Sequence, residues 1–120
     1  MNIQEIETAL KHEDESPPEL AKYETVLAGY YSYYAQMLKR ILVDKPIAWL
    51  NIQTFVDYET ERSIQRDKLL SDKKTEMIWQ ATEQGQAEIA LTWELRRIEK
   101  MMSAINKRLY VDNVAAKNQY

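Results

Sequence analysis

The chain of 120 residues carries 16 Lys and Arg against 19 Asp and Glu, for a net charge of −3, and is 45% hydrophobic and 29% charged, the make-up of a single helical or globular domain. The absence of Cys excludes disulfides, thiolate zinc sites and a cysteine nucleophile, and fits a reducing compartment. No apolar run approaches the roughly 20 residues that cross a bilayer, and the opening MNIQEIETALKHEDE is too acidic for a signal peptide, so a cytoplasmic protein that does not enter membranes is expected.

With only 2 Gly and 3 Pro the turns are few and the elements long. Asn2, with Glu5 three residues on, resembles a capping pair for a short helix carrying Ile3, Ile6 and Leu10 on one side and ending near Lys11. His12 and the Glu13-Asp14-Glu15 run come next. Consecutive residues point in different directions and nothing else converges there, so a solvated linker is favoured over a metal or acid/base cluster. Residues 1 to 20 hold six acids and one base, hence −5, and the remaining hundred 15 bases and 13 acids, hence +2. An acidic head on a mildly basic body results, and the overall charge does not settle the question of nucleic acid.

Ser16-Pro17-Pro18-Glu19 is a strong helix start, with Ser as N-cap, Pro at the first helical position and Glu at the capping-box position. Leu20, Tyr23, Leu27, Tyr30, Tyr34, Met37 and Ile41 then recur at steps of 3 and 4, a stripe that packs along another helix. The helix is predicted to end near Val43, because Pro46 biases Lys45 away from helical geometry. Tyr30, Tyr31, Tyr33 and Tyr34 cannot all face one core. Some must look outward, and packing within or between subunits is favoured over stacking on nucleobases. Tyr30, Tyr34, Met37 and Ile41 are the candidate oligomer interface.

Residues 45 to 56, KPIAWLNIQTFV, read as an irregular apolar connector that covers the end of a bundle or plugs into a partner, with Thr54 or Asp57 capping the next helix. From Tyr58 to about Gln84 a surface helix with a diluted stripe is predicted, with Arg62, Arg66, Lys73 and Lys74 spread along it. Gly85 either ends that helix or lies within a kinked or continuous one, the latter slightly favoured.

The clearest periodic segment is the last. Leu91, Leu95, Ile98, Met102, Ile105 and Leu109 fall at steps of 4 and 3 on one stripe, and Arg96, Arg97, Lys100, Lys107 and Arg108 stand on the charged side. On a wheel of 100° per residue, 97, 100, 107 and 108 lie at roughly 0°, 300°, 280° and 20°, one side that the apolar stripe largely leaves free. The bland alternative pairs Glu94 with Arg97 and Glu99 with Arg96. The tail is predicted to fray, from 113 to 120.

No Gly-rich phosphate loop, histidine pair or nucleophile beside a base occurs, and one His cannot supply the Glu-x-x-His motif of di-metal bundles. No enzyme activity, cofactor or metal is expected. The fold class is all-α: an elongated helical hairpin or bundle of two to three long helices with a short N-terminal helix, in one domain with an acidic N-terminal segment over 1–15, a body over 16–112 and a tail.

The order of LAKYETVLAGYYSYYAQMLKRIL, LLSDKKTEMIWQ and LRRIEKMMSAINKRLYV resembles the UvsY-type recombination mediators of tailed phages, over about residues 20 to 112 and most in IEKMMSAINKRLYV. The resemblance implies a small helical protein, in the host cytoplasm if phage-encoded, that forms homo-oligomers, binds single-stranded DNA, and works with a recombinase and a single-strand-binding protein. No residue role is carried over from it. The nucleic-acid candidates Arg62, Arg66, Lys73, Lys74, Arg96, Arg97, Lys100, Lys107 and Arg108 rest on the charge pattern. The alternatives are a protein-binding module, such as a phage inhibitor of a host defence complex, and a structural coiled-coil adaptor.

Overall fold

A computed structural model describes residues 1–12, 15–54 and 70–118, and they form an all-α protein of four helices: α1 (Ile3–His12), α2 (Pro17–Thr54), α3 (Asp72–Ala81) and α4 (Glu83–Asn118). Among the described residues no helix is long and apolar enough to cross a membrane. Their contacts gather into two compact units, Met1–Gln36 with Trp93–Tyr120, and Met37–Thr92, and both long helices contribute to each.

In the first unit the predicted starts are present. Asn2 Oδ1 accepts the Glu5 N–H at 2.8 Å, opening α1, and the Ser16 N–H donates to Glu19 Oε2 at 3.3 Å, the reciprocal half of a capping box at the head of α2. The core is Ile3 and Ile6 from α1, Leu20, Tyr23 and Leu27 from α2, and Ile98, Met101 and Ile105 from α4. Burying each of these aliphatic side chains contributes about 1.5–3 kcal/mol, which is why a ten-residue helix too short to persist alone holds its place here. Val26, Tyr30, Tyr31, Tyr34, Met102 and Leu109 pack around that core, so the predicted stripes share it from Leu20 to Tyr34 and from Ile98 to Leu109, with Met101 rather than the predicted Met102 as the buried methionine.

The second unit departs from the sequence reading at three points. First, α2 does not end near Val43 but continues through Pro46 to Thr54, so 45–54 are helix rather than an irregular connector. The proline deprives the Leu42 carbonyl of its partner, but Leu42 and Pro46 are both exposed, and the lost bond is least costly on a face that water can reach. At its far end Gln53 ties the helix to the next segment, donating from Nε2 to the Leu70 carbonyl and to Asp72 Oδ1, both at 3.1 Å, while its carbonyl accepts the Leu70 N–H at 3.1 Å. Phe55, Val56, Asp57 and the predicted helix from Tyr58 up to residue 69 lie outside the described residues.

Second, the expected helix from Tyr58 to about Gln84 is broken, within its described part, at Leu70 and Ser71 and again at Thr82. Between those breaks α3 starts at Asp72, where Ser71 is an extended N-cap whose hydroxyl accepts the Lys74 N–H at 3.2 Å, and stops at Ala81. Third, Gly85 lies within a helix, the slightly favoured of its two readings, but that helix is not continuous with the one before it, because the chain breaks at Thr82. Thr82 closes α3, its N–H and hydroxyl both donating to the Trp79 carbonyl at 3.0 and 2.6 Å, and opens α4, its Oγ1 accepting the Gly85 N–H at 3.0 Å. Gly85 is thus the third residue of α4, buried against the end of α3. At the other terminus α4 stays helical to Asn118, where a frayed end was expected from 113.

Candidate nucleic-acid interface

The charged side of α4 in the first unit is where the sequence places most of the candidate residues. Its apolar stripe anchors Ile98, Met101 and Ile105 in the core, and this turns Trp93, Arg96, Arg97 and Lys100 outward at steps of three and four. With Glu7 and the edge of Met101 these four line a cavity of about 370 Å³. Trp93 is 64% exposed, and the Arg96 guanidinium carbon lies 5.9 Å from its ring centroid, within cation–π range. An aromatic plane beside one guanidinium, in a recess that Arg97 and Lys100 also line, can stack a nucleobase and hold its phosphate, two contacts of different chemistry.

The bases of α4 are not equivalent. Arg96, Lys100 and Lys107 are exposed and form no ion pair with another described side chain. Arg97 donates from Nε to Glu7 Oε2 at 2.5 Å, a partner the sequence did not suggest, and lies 3.5 Å from Glu94. The hydrogen bond to Glu7 is the main cause that raises the already high pKa of Arg97, against an opposing effect of burial. Arg108 also has a partner, donating from Nη2 to Glu15 Oε2 at 3.2 Å, and the Glu15 side chain is only 6% exposed. Of the two pairs weighed from sequence, Arg97 with Glu94 is present. Glu99 instead accepts from the Tyr31 hydroxyl at 3.0 Å.

That hydrogen bond, then the Glu99 charge and a little burial, raises the Tyr31 phenol above its ordinary pKa of 10.0. A raised folded pKa favours the protonated form. The bond's contribution is therefore complete at neutral pH and disappears only as the pH climbs through the folded value, above 10.

Tyr31, Glu99, Met102, Ser103, Asn106, Lys107, Tyr110 and Val111 line a second recess of about 770 Å³, largely apolar, with Tyr110 and Val111 well exposed. In the tyrosine cluster Tyr30 and Tyr34 pack on the chain's own core with ring centroids 6.2 Å apart, so these two interface candidates are partly used internally, whereas Tyr33 points outward at 61% exposure. Met37 and Ile41 fall in the second unit, Met37 exposed and Ile41 half-buried.

Lys73 and Lys74 also belong to the second unit, exposed in the first turn of α3, and Arg62 and Arg66 lie outside the described residues. His12 ends α1 in an exposed position, Glu13 and Asp14 are outside the described residues, and among the described residues no three His, Cys, Asp or Glu side chains gather as a metal site would require. The sequence reading missed Trp93. It sits between Leu91 and Leu95 and off the stripe they define, so its signal was the step of three and four to Arg96 and Arg97. The chain matches no protein-family model, no curated protein and no solved structure.

Proposed function

We propose that this chain is a non-catalytic binder of single-stranded nucleic acid that works as an oligomer, an accessory protein of the kind that helps a recombinase and a single-strand-binding protein exchange on a phage DNA strand. The observation that carries the binding is the exposed indole of Trp93 among Arg96, Arg97 and Lys100. A stacked base contributes roughly 1–3 kcal/mol and needs an unpaired strand to present it, which favours single strands over duplex. Lys107, about two turns further along the same side of α4, extends the cationic track.

The test is fluorescence anisotropy with a labelled single-stranded oligonucleotide at two salt concentrations, together with sedimentation of the free protein. Binding should weaken steeply with salt, and the protein should sediment as an assembly larger than the 14.2 kDa chain. Trp93→Ala should weaken binding about tenfold, and replacing Arg96, Lys100 and Lys107 together by Glu should lower it by about a hundredfold or more without unfolding, since all four residues are exposed. A wild-type protein that ignores the oligonucleotide at low salt would end this reading. It would promote the second, a protein-binding module, which the apolar recess of Tyr31, Met102, Tyr110 and Val111 favours.

A further inference from the structure

The acidic N-terminal segment places two carboxylates directly on the basic side of α4. Glu7 comes from α1, and Ile3 and Ile6 sink that helix into the core beside Ile98 and Ile105, so the Glu7 carboxylate is delivered to the Arg97 guanidinium from a fixed support. Glu15 lies just beyond α1 and reaches Arg108 with its side chain almost wholly covered. Arg97 and Arg108 are eleven residues apart on α4, about 16 Å along its axis and nearly in line on its surface. A polyanion following the proposed track would meet Arg97 and Arg108 after Trp93 and Arg96, and would find both already holding an anion. Carboxylate and phosphate present the guanidinium with the same kind of acceptor oxygens.

Resting on the nucleic-acid reading above, we infer that Glu7 and Glu15 are built-in phosphate mimics that compete with the strand for Arg97 and Arg108 and hold down the affinity of the α4 track. In the wild-type protein a strand engages Arg96, Lys100 and Lys107 at once, but reaches Arg97 and Arg108 only by displacing a carboxylate of the same chain. Such an arrangement makes the complex easy to reverse, as suits a protein that must hand its strand on. A purely structural role for the two pairs predicts the opposite response: their loss would leave affinity unchanged or reduce it.

Glu7→Gln with Glu15→Gln keeps the side-chain shape and a hydrogen-bonding oxygen while removing both charges. Glu5→Gln, which neutralises an exposed acid on α1 that makes no ion pair with a described side chain, controls for charge alone. Titrated against a labelled single-stranded oligodeoxythymidylate, the double variant should bind about tenfold more tightly than wild type and than Glu5→Gln. Its salt dependence should also be steeper, by between about 0.7 for Arg108 alone and about 1.4 where Arg97 exchanges its remaining partner Glu94, 3.5 Å away, for phosphate, whereas Glu5→Gln should leave the slope unchanged.

Wild type and double variant binding with equal affinity and slope, or the double variant matching twice the Glu5→Gln effect with no change of slope, would overturn the inference and leave the nucleic-acid reading standing. No binding by any of the three proteins at low salt would overturn both. Circular dichroism confirms that the variants are folded. Should the Glu15 substitution unfold the chain, Glu7→Gln alone, at the more exposed pair, decides the matter by the same comparison: tighter binding with a steeper slope supports the mimic, and unchanged binding overturns it.

Discussion

Replacing Gly85 by Ala is expected to destabilise the protein by about 3 kcal/mol, although the same change in an ordinary helix interior stabilises by about 1 kcal/mol. A Cβ built at Gly85 would collide with the Trp79 carbonyl oxygen and would come within 2.6 Å of its carbon and 2.9 Å of the Gln80 Cα. These are backbone atoms that no side-chain rotation can move. That carbonyl is also the acceptor for both the N–H and the hydroxyl of Thr82, so pushing it away strains the junction that ends α3 and begins α4. Urea unfolding followed by circular dichroism measures the loss. An Ala variant as stable as wild type would show that the two helix ends do not approach as described. Gly29, with nothing within 4 Å of an added Cβ, is the comparison: Gly29→Ala should be neutral or stabilising.

How legible each feature was in the sequence depends on the range of the interaction responsible for it. The starts of α1 and α2 were readable because Asn2 with Glu5 and Ser16 with Glu19 are caps made within three residues. The stripes of α2 and α4 were readable because the helical period brings their members onto one side whatever lies opposite. Pro46 misled because its penalty of about 3 kcal/mol is a local quantity, whereas what holds the helix beyond it, including the bonds of Gln53 to Leu70 and Asp72, comes from residues far along the chain. The break at Thr82 has little local signal, because one side chain performs two capping roles in a stretch with no Pro beside it, which is why a continuous helix through Gly85 was the favoured expectation. That glycine is needed for a close approach between helices, a tertiary cause with no local signature.

The same distinction runs through the candidate site. The basic side of α4 is a periodic property and could be drawn on a wheel, whereas the division of its cations into free and occupied is not. Arg97 meets an acid ninety positions earlier in the chain and Arg108 one ninety-three earlier, separations at which pairing depends on where α1 docks. An excess of six acids over one base in residues 1 to 20 did announce an acidic head, and the structure shows where two of those acids go.

Trp79→Ala should cost more than any other single truncation among the described residues, about 4 kcal/mol. Trp79 is 1% exposed and is the largest of the fully buried side chains, so its loss empties the middle of the second unit. Its indole also organises the polar contacts there: Nε1 donates to Glu88 Oε2 at 2.6 Å, Glu88 Oε1 accepts from Lys45 Nζ at 3.0 Å, and that ammonium lies 5.5 Å from the Trp79 ring centroid and 5.7 Å from that of Trp49. The ion pair is partly exposed, about a fifth of each side chain remaining open, so water can replace much of what the charges lose. Packing should therefore dominate over polarity, and three variants separate the two. Trp79→Phe, which keeps most of the ring volume and removes the Nε1 donor, should lose well under half of what Trp79→Ala loses, and Glu88→Gln should cost only about 1 kcal/mol. Trp93→Ala, at an indole 64% exposed, should leave the unfolding midpoint nearly unchanged. Denaturant unfolding of the four variants gives the order directly, and a Trp79→Ala protein within about 1 kcal/mol of wild type would show that this indole is not the centre of the unit.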